Sequence, residues 1–142
     1  MSKKVIVLSM FLIASLVFLA ACSRPSNVRE FFESNAAEFQ ELVDEVNAEV
    51  ASMSAALGID LSVNLEIQGD DTIIYNFIYG PDTHFEPSAE ADLAQAIDGM
   101  ADFQTETAQG LRRSMGIDTL YITMRYLDSN GRVLAEGTFA GH

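Results

Sequence analysis

The sequence predicts an α+β fold: duplicated αββ units whose two long helices pack on one face of a four-stranded, mainly antiparallel sheet. Three observations carry this expectation. Two long stretches repeat apolar residues at three- and four-residue steps, the spacing of one helical face. Each is followed by a pair of short alternating runs, the spacing of strands with one buried face. The segments Leu57-Gly58-Ile59-Asp60 and Met115-Gly116-Ile117-Asp118 also rhyme, 58 residues apart. Sliding one half onto the other by that offset sets Ala36 on Ala94, Phe39 on Ile97, Leu42 on Met100, Val50 on Ala108, Met53 on Leu111 and Leu57 on Met115. Val46 falls on Gln104 and breaks the match.

In chain order, the first helix is expected from about Val28 to Leu57, with Phe32, Phe39, Val43, Val46, Val50, Met53 and Leu57 on its stripe. Asn27 suits the N-cap, Glu30 and Glu33 suit the positive end of the dipole, and Gly58 suits a left-handed close. Leu61, Val63, Leu65 and Ile67 alternate with polar residues as a first strand. Gly69-Asp70-Asp71 turns the chain into a second strand from Thr72 to Tyr79, and Pro81 to Pro87 reads as a loop. The second helix runs from about Ser88, its expected cap, to Met115, with Glu90 and Asp92 at its start, Arg112 and Arg113 at its end, and Gly116 closing it. Leu120, Ile122, Met124 and Tyr126 form the third strand. Asp128-Ser129-Asn130-Gly131 is a hairpin turn, because Asn-Gly tolerates positive φ, and Val133 to Phe139 is the fourth strand. The stripes also fit heptads, but strands follow each helix, so covering a sheet is the preferred reading over a coiled-coil dimer.

Upstream of this domain, Lys3 and Lys4 precede an uncharged run from Val5 to Ala21, 17 residues long and shorter than the roughly 20 that span a bilayer. The run ends in Leu19-Ala20-Ala21-Cys22, which holds the single cysteine of the chain. That motif resembles the lipobox of bacterial lipoproteins. The resemblance implies cleavage before Cys22, a diacylglycerol thioether on its sulfur, and attachment to the extracytoplasmic face of the cell membrane. Residues 1–21 are then a signal peptide, 22–27 a lipidated tether, and 28–142 a single domain with repeats at about 28–80 and 88–139. Two acyl chains give stable anchoring where one is marginal. A lipidated Cys22 also leaves no thiol for a disulfide, nucleophile or metal site.

Both lysines would leave with the signal, so six arginines face 21 acidic residues, a formal net charge of −15 against −13 for the whole chain. Such a surface repels nucleic acid and anionic headgroups and keeps the domain soluble. The membrane, reached through the lipid, and an envelope protein are the expected partners.

Candidate chemistry is sparse. His84 lies near Asp82 and Glu86 in a loop, either a weak cation site or a solvated loop, and the second reading is preferred; His142 is at the C-terminus. Asp44 with Glu45, and Asp98 with Asp102, occupy helix positions expected to face water rather than to form a catalytic pair. Asp128 to Gly131 shares the opening of a calcium loop, but Glu136 comes eight residues after Asp128 rather than eleven. Tyr75, Phe77 and Tyr79 share one strand face, best read as core. No cofactor, metal site or catalytic residue is assigned.

The lipobox, the acidic first helix and the closing run Tyr121-Ile122-Thr123-Met124-Arg125-Tyr126-Leu127-Asp128-Ser129-Asn130-Gly131 together resemble a family of small Gram-positive lipoproteins built on a domain of unknown function. The resemblance implies surface anchoring and the αββαββ order and brings no activity. Arg125, Tyr126 and Gly131 match its pattern and read as structural. The expectation is a non-catalytic binding or interaction module, with a carboxylate-based envelope hydrolase or a cation- or small-ligand-binding lipoprotein as alternatives.

Overall fold

Asn27 starts the first helix as expected: its backbone is extended, and its Oδ1 accepts the Glu30 N–H at 2.8 Å. The structure, a computed structural model, describes residues 26–141. Its elements are α1 (Val28–Ser34), α2 (Ala36–Leu57), β1 (Leu61–Gln68), β2 (Thr72–Tyr79), α3 (Ala89–Gly99), α4 (Ala101–Met115), β3 (Tyr121–Leu127) and β4 (Val133–Ala140).

Each of the two long helices expected from the sequence is in fact a broken pair. The first stops at Asn35, whose Nδ2 and N–H donate to the Phe31 carbonyl at 2.8 and 3.1 Å; this local bonding competes with helix continuation. The second breaks at Met100 (φ −98, ψ 3), immediately after Gly99, a poor helix former. Ser88 is not the expected side-chain cap of α3, because its hydroxyl donates to Asp92 Oδ2 at 3.0 Å instead. The rhymed glycines act alike, Gly58 (φ 71) ending α2 and Gly116 (φ 69) ending α4.

The sheet order is β1-β2-β3-β4. β1 with β2 and β3 with β4 are antiparallel hairpins, whereas β2 with β3 is parallel, so the sheet is mixed, with a parallel pair at the centre of its antiparallel hairpins. Parallel neighbours need a long crossover, and residues 80–120, with α3 and α4, supply it. A bulge between Tyr126 and Leu127 leaves Leu134 as the extra residue of β4.

One face of the sheet carries Ile73, Tyr75, Phe77 and Tyr79 of β2 with Ile122, Met124 and Tyr126 of β3, all at most 1 % exposed. They join Val28, Phe31 and Phe32 of α1, Leu93 and Ile97 of α3, and Leu111 and Met115 of α4 in one core. Phe77 and Tyr126 stack with centroids 4.9 Å apart. Over β4, Ile97 comes so close to Gly137 that a Cβ there would stand 2.3 Å from Ile97 Cγ2; only glycine admits α3 at this depth. Ile74, Asn76 and Thr123, on the opposite face, are also buried.

The outer edge of β1 is covered. α2 packs against β1, and Asn47 Oδ1 accepts the Val63 N–H at 2.9 Å while its Nδ2 donates to the Val63 carbonyl at 2.8 Å. Further along, Arg29 Nη2 donates to the Ile67 carbonyl at 3.2 Å and its Nε to Gly69 at 2.7 Å. One amide side chain therefore satisfies both outward backbone groups of Val63 on this edge strand. Asn47→Ala is expected to destabilise the fold by about 1–3 kcal/mol, the cost of orphaning part-buried polar groups. Asn47→Asp should cost more, since it sets a carboxylate against the Val63 carbonyl. Urea denaturation midpoints of the two variants check both expectations.

Candidate functional site

Cys22 and His142 lie outside the described residues. None of the described helices is long and apolar enough to cross a membrane. The remaining candidates fall in three places.

The first is a recess of about 380 Å³ lined by Gly58, Ile59, Asp60, Asp82, Thr83 and His84. It forms where the end of α2 meets the loop after β2. Asp60 anchors it: its carbonyl accepts the Gly80 N–H at 3.0 Å, and its side chain fills the space that a Cβ at position 80 would occupy. A second recess of about 400 Å³ adjoins it along Ala51, Ser54, Ala55 and Leu61. Asp82 and His84 do reach one recess, but Glu86 is not among its lining residues. Asp60, Asp82 and His84 are exposed. Among the described residues, no three His, Cys, Asp or Glu side chains stand close enough to hold a metal ion. The recess can admit a small polar molecule; the Thr83 hydroxyl in it and the Ser54 hydroxyl in the adjoining recess are buried and make no hydrogen bond among the described residues.

The second place is the core. Tyr75, Phe77 and Tyr79 are buried beneath the helices, and Phe85 of the loop closes edge-on over Tyr79 with ring centroids 5.2 Å apart. Burial pushes the Tyr75 and Tyr79 phenols well above the ordinary tyrosine range, with the nearby Tyr126 adding to the effect at Tyr79. Both stay protonated at neutral pH and offer no phenolate. Their hydroxyls, and both polar atoms of the fully buried Gln104, make no hydrogen bond among the described residues. The mismatch of Gln104 with Val46 in the sequence alignment was the visible signal of this buried amide.

The third place is the β3–β4 hairpin. Asp128 organises the turn: its Oδ1 accepts the N–H groups of Asn130 and Arg132, each at 2.9 Å. Its Oδ2 accepts from Arg132 Nε at 3.4 Å, and Arg132 also reaches Glu90 of α3 at 2.5 Å. Arg125 of β3 is tied to Glu136 of β4 at 2.7 Å, and the Thr123 and Thr138 hydroxyls pair at 2.9 Å. Asp44, Glu45, Asp98 and Asp102 all face water.

The Arg132 backbone N–H, helped by that of Asn130 and by the Arg132 side chain, holds the Asp128 carboxyl below the usual aspartate range. A lowered carboxyl stabilises the fold at pH above its unfolded value, near 3.8, and loses that contribution as pH falls through the lower folded value. Asp128→Asn keeps a backbone acceptor but no charge. Its thermal midpoint should therefore lie below that of the parent at about pH 6, with the gap closing towards about pH 3.

No curated protein and no solved structure matches the chain. A family profile does, described as a domain of unknown function and matched over residues 28–139, which takes in every strand and helix above except the final residue of β4. By that match the chain belongs to the DUF4854 family.

Proposed function

We propose that the protein is a lipid-anchored lipoprotein of the Gram-positive type, tethered through Cys22 outside the cytoplasmic membrane, and that its domain works as a non-catalytic binding module in the cell envelope. The observation that carries the address is the run Leu19-Ala20-Ala21-Cys22, placed after a basic start and an uncharged stretch. The binding reading draws support from the character of the domain. Its buried tyrosines are held protonated, its exposed His84 stands in an open recess, and its ion pairs brace the β3–β4 hairpin, α3 and the start of α1 instead of converging on a cleft. Tethering also raises local concentration, so modest affinity for an envelope partner suffices.

The two helix-pair-plus-hairpin halves are read here as a duplicated αββ unit. The 58-residue offset and the paired helix-closing glycines Gly58 and Gly116 support this.

Cys22→Ala should abolish incorporation of labelled fatty acid and move the protein out of the membrane fraction. A variant that keeps the label, or that stays membrane-bound at its full signal-containing mass, would rule out the anchor.

A further inference from the structure

The two edges of the sheet are unequal, and the difference follows from the register. Gly141 N–H donates to the Leu120 carbonyl at 2.8 Å, and Tyr121 pairs with Ala140. In an antiparallel ladder the hydrogen-bonded pairs alternate, so Phe139 and Gly137 turn their N–H and C=O groups towards β3. Glu136, Thr138 and Ala140 turn theirs outward. The other neighbour of β3 agrees, since Tyr121 N–H donates to Asp71 on the β2 side at 2.8 Å. On β1 the corresponding outward groups of Val63 are taken by Asn47, and the Ile67 carbonyl by Arg29. On β4, no hydrogen bond among the described residues reaches the outward groups of Glu136, Thr138 or Ala140. Their spacing is that of a strand waiting for a neighbour.

We propose that the free edge of β4, from Glu136 to Ala140, binds an extended cationic polypeptide segment by strand addition. The proposal rests on the reading of the domain as a binding module and names its contact surface.

Two observations select this occupant. Antiparallel pairing with β4 of a second copy would leave both helical layers on the same face. Ile97 seats α3 directly over Gly137 of the edge strand. The two copies of α3 would then lie over adjacent strands about 4.8 Å apart, whereas packed helices need about 8–10 Å. A single extended segment brings no helix and meets no such obstacle. Charge supplies the second argument. The chain carries a formal −13, and the arginines beside this edge are already engaged, Arg125 with Glu136 and Arg132 with Glu90 and Asp128. The surface therefore attracts a cationic segment and repels an acidic one, including a second copy. Main-chain bonds would supply the affinity, with a cationic residue opposite Glu136 and a β-branched residue opposite Thr138 setting the register.

The test uses the full-length chain in neutral-detergent micelles and a capped synthetic peptide that alternates lysine with valine or threonine. Saturable binding that weakens with salt is expected, with exchange of the Glu136, Thr138 and Ala140 amides slowed by about tenfold or more while the Val63 amide is unchanged. Thr138→Pro removes one outward N–H that makes no bond within the sheet, an edge position where proline is tolerated. It should weaken binding about tenfold, whereas Thr138→Val, which keeps the N–H, should bind like the parent. Should the proline variant fail to fold, two N-methylated peptides, one modified at the lysines and one at the β-branched residues, replace it; only one should lose binding. Absence of saturable binding, equal binding to the parent and Thr138→Pro, equal binding of both methylated peptides, or a concentration-dependent dimer held through β4 would each overturn the proposal. A peptide bound at this edge and then cleaved would leave the proposal standing and defeat the binding-module reading instead.

Discussion

The parallel pairing of β2 with β3 is the constraint on which the rest of the structure depends. Without it the chain would hold two hairpins, and an isolated hairpin is at best marginally stable in water. The junction makes β2 and β3 the inner strands, and their helix-facing residues form the floor of a single core. Burying side chains such as Ile73, Phe77 or Ile122 contributes roughly 1.5–3 kcal/mol each, so the shared floor outweighs what either hairpin buries alone. It also dictates the crossover: residues between β2 and β3 must return across the sheet, and α3 and α4 do so while covering it.

Fixing the inner strands fixes the edges. β1 becomes one margin and is held by side chains of this chain at Val63 and Ile67, through Asn47 and Arg29, with α2 beside it. β4 becomes the other and keeps its outward backbone groups without such partners among the described residues. The asymmetry is not an accident of length, for both strands have eight residues. The polar atoms of Gln104, Tyr75 and Tyr79 show that the core also tolerates a real desolvation cost. Stability therefore comes chiefly from apolar burial and sheet bonding, with charge left to act on the surface. A strongly acidic exterior carried on such a scaffold favours cationic partners over acidic ones.

Much of the fold was legible in the sequence because its signals are local. Alternation at Leu61 to Ile67 and at Leu120 to Tyr126 marked β1 and β3, Asn27 marked a cap, and Gly58 and Gly116 marked two helix ends. The burial of Tyr75, Phe77 and Tyr79 followed from the same alternation. The parallel junction was not legible, since the side-chain period of two is common to parallel and antiparallel strands and says nothing of which strand lies beside which. Helix breaks at Asn35 and Met100 were missed because a continuous apolar stripe runs through both. Asn47 sits between Val43 and Val50 on an apolar face, and its clamp on β1 emerges only when the edge is seen. His84 and Asp82 share a recess with Asp60, a residue from another loop that no sequence spacing connects to them. The address rests wholly on the residues around Cys22.

The claim that two hairpins stand or fall as one sheet is tested most directly by native-state hydrogen exchange in increasing denaturant. By the register, the amides of Ile73, Tyr75 and Phe77 in β2 and of Thr123 and Arg125 in β3 bond across the parallel junction. The account predicts that all five exchange through one opening, with a free energy and denaturant dependence equal to those of global unfolding. If these five amides exchanged at markedly lower free energy while those of Ile74, Asn76 and Ile78, which bond to β1, stayed protected, the junction would not be what holds the fold together.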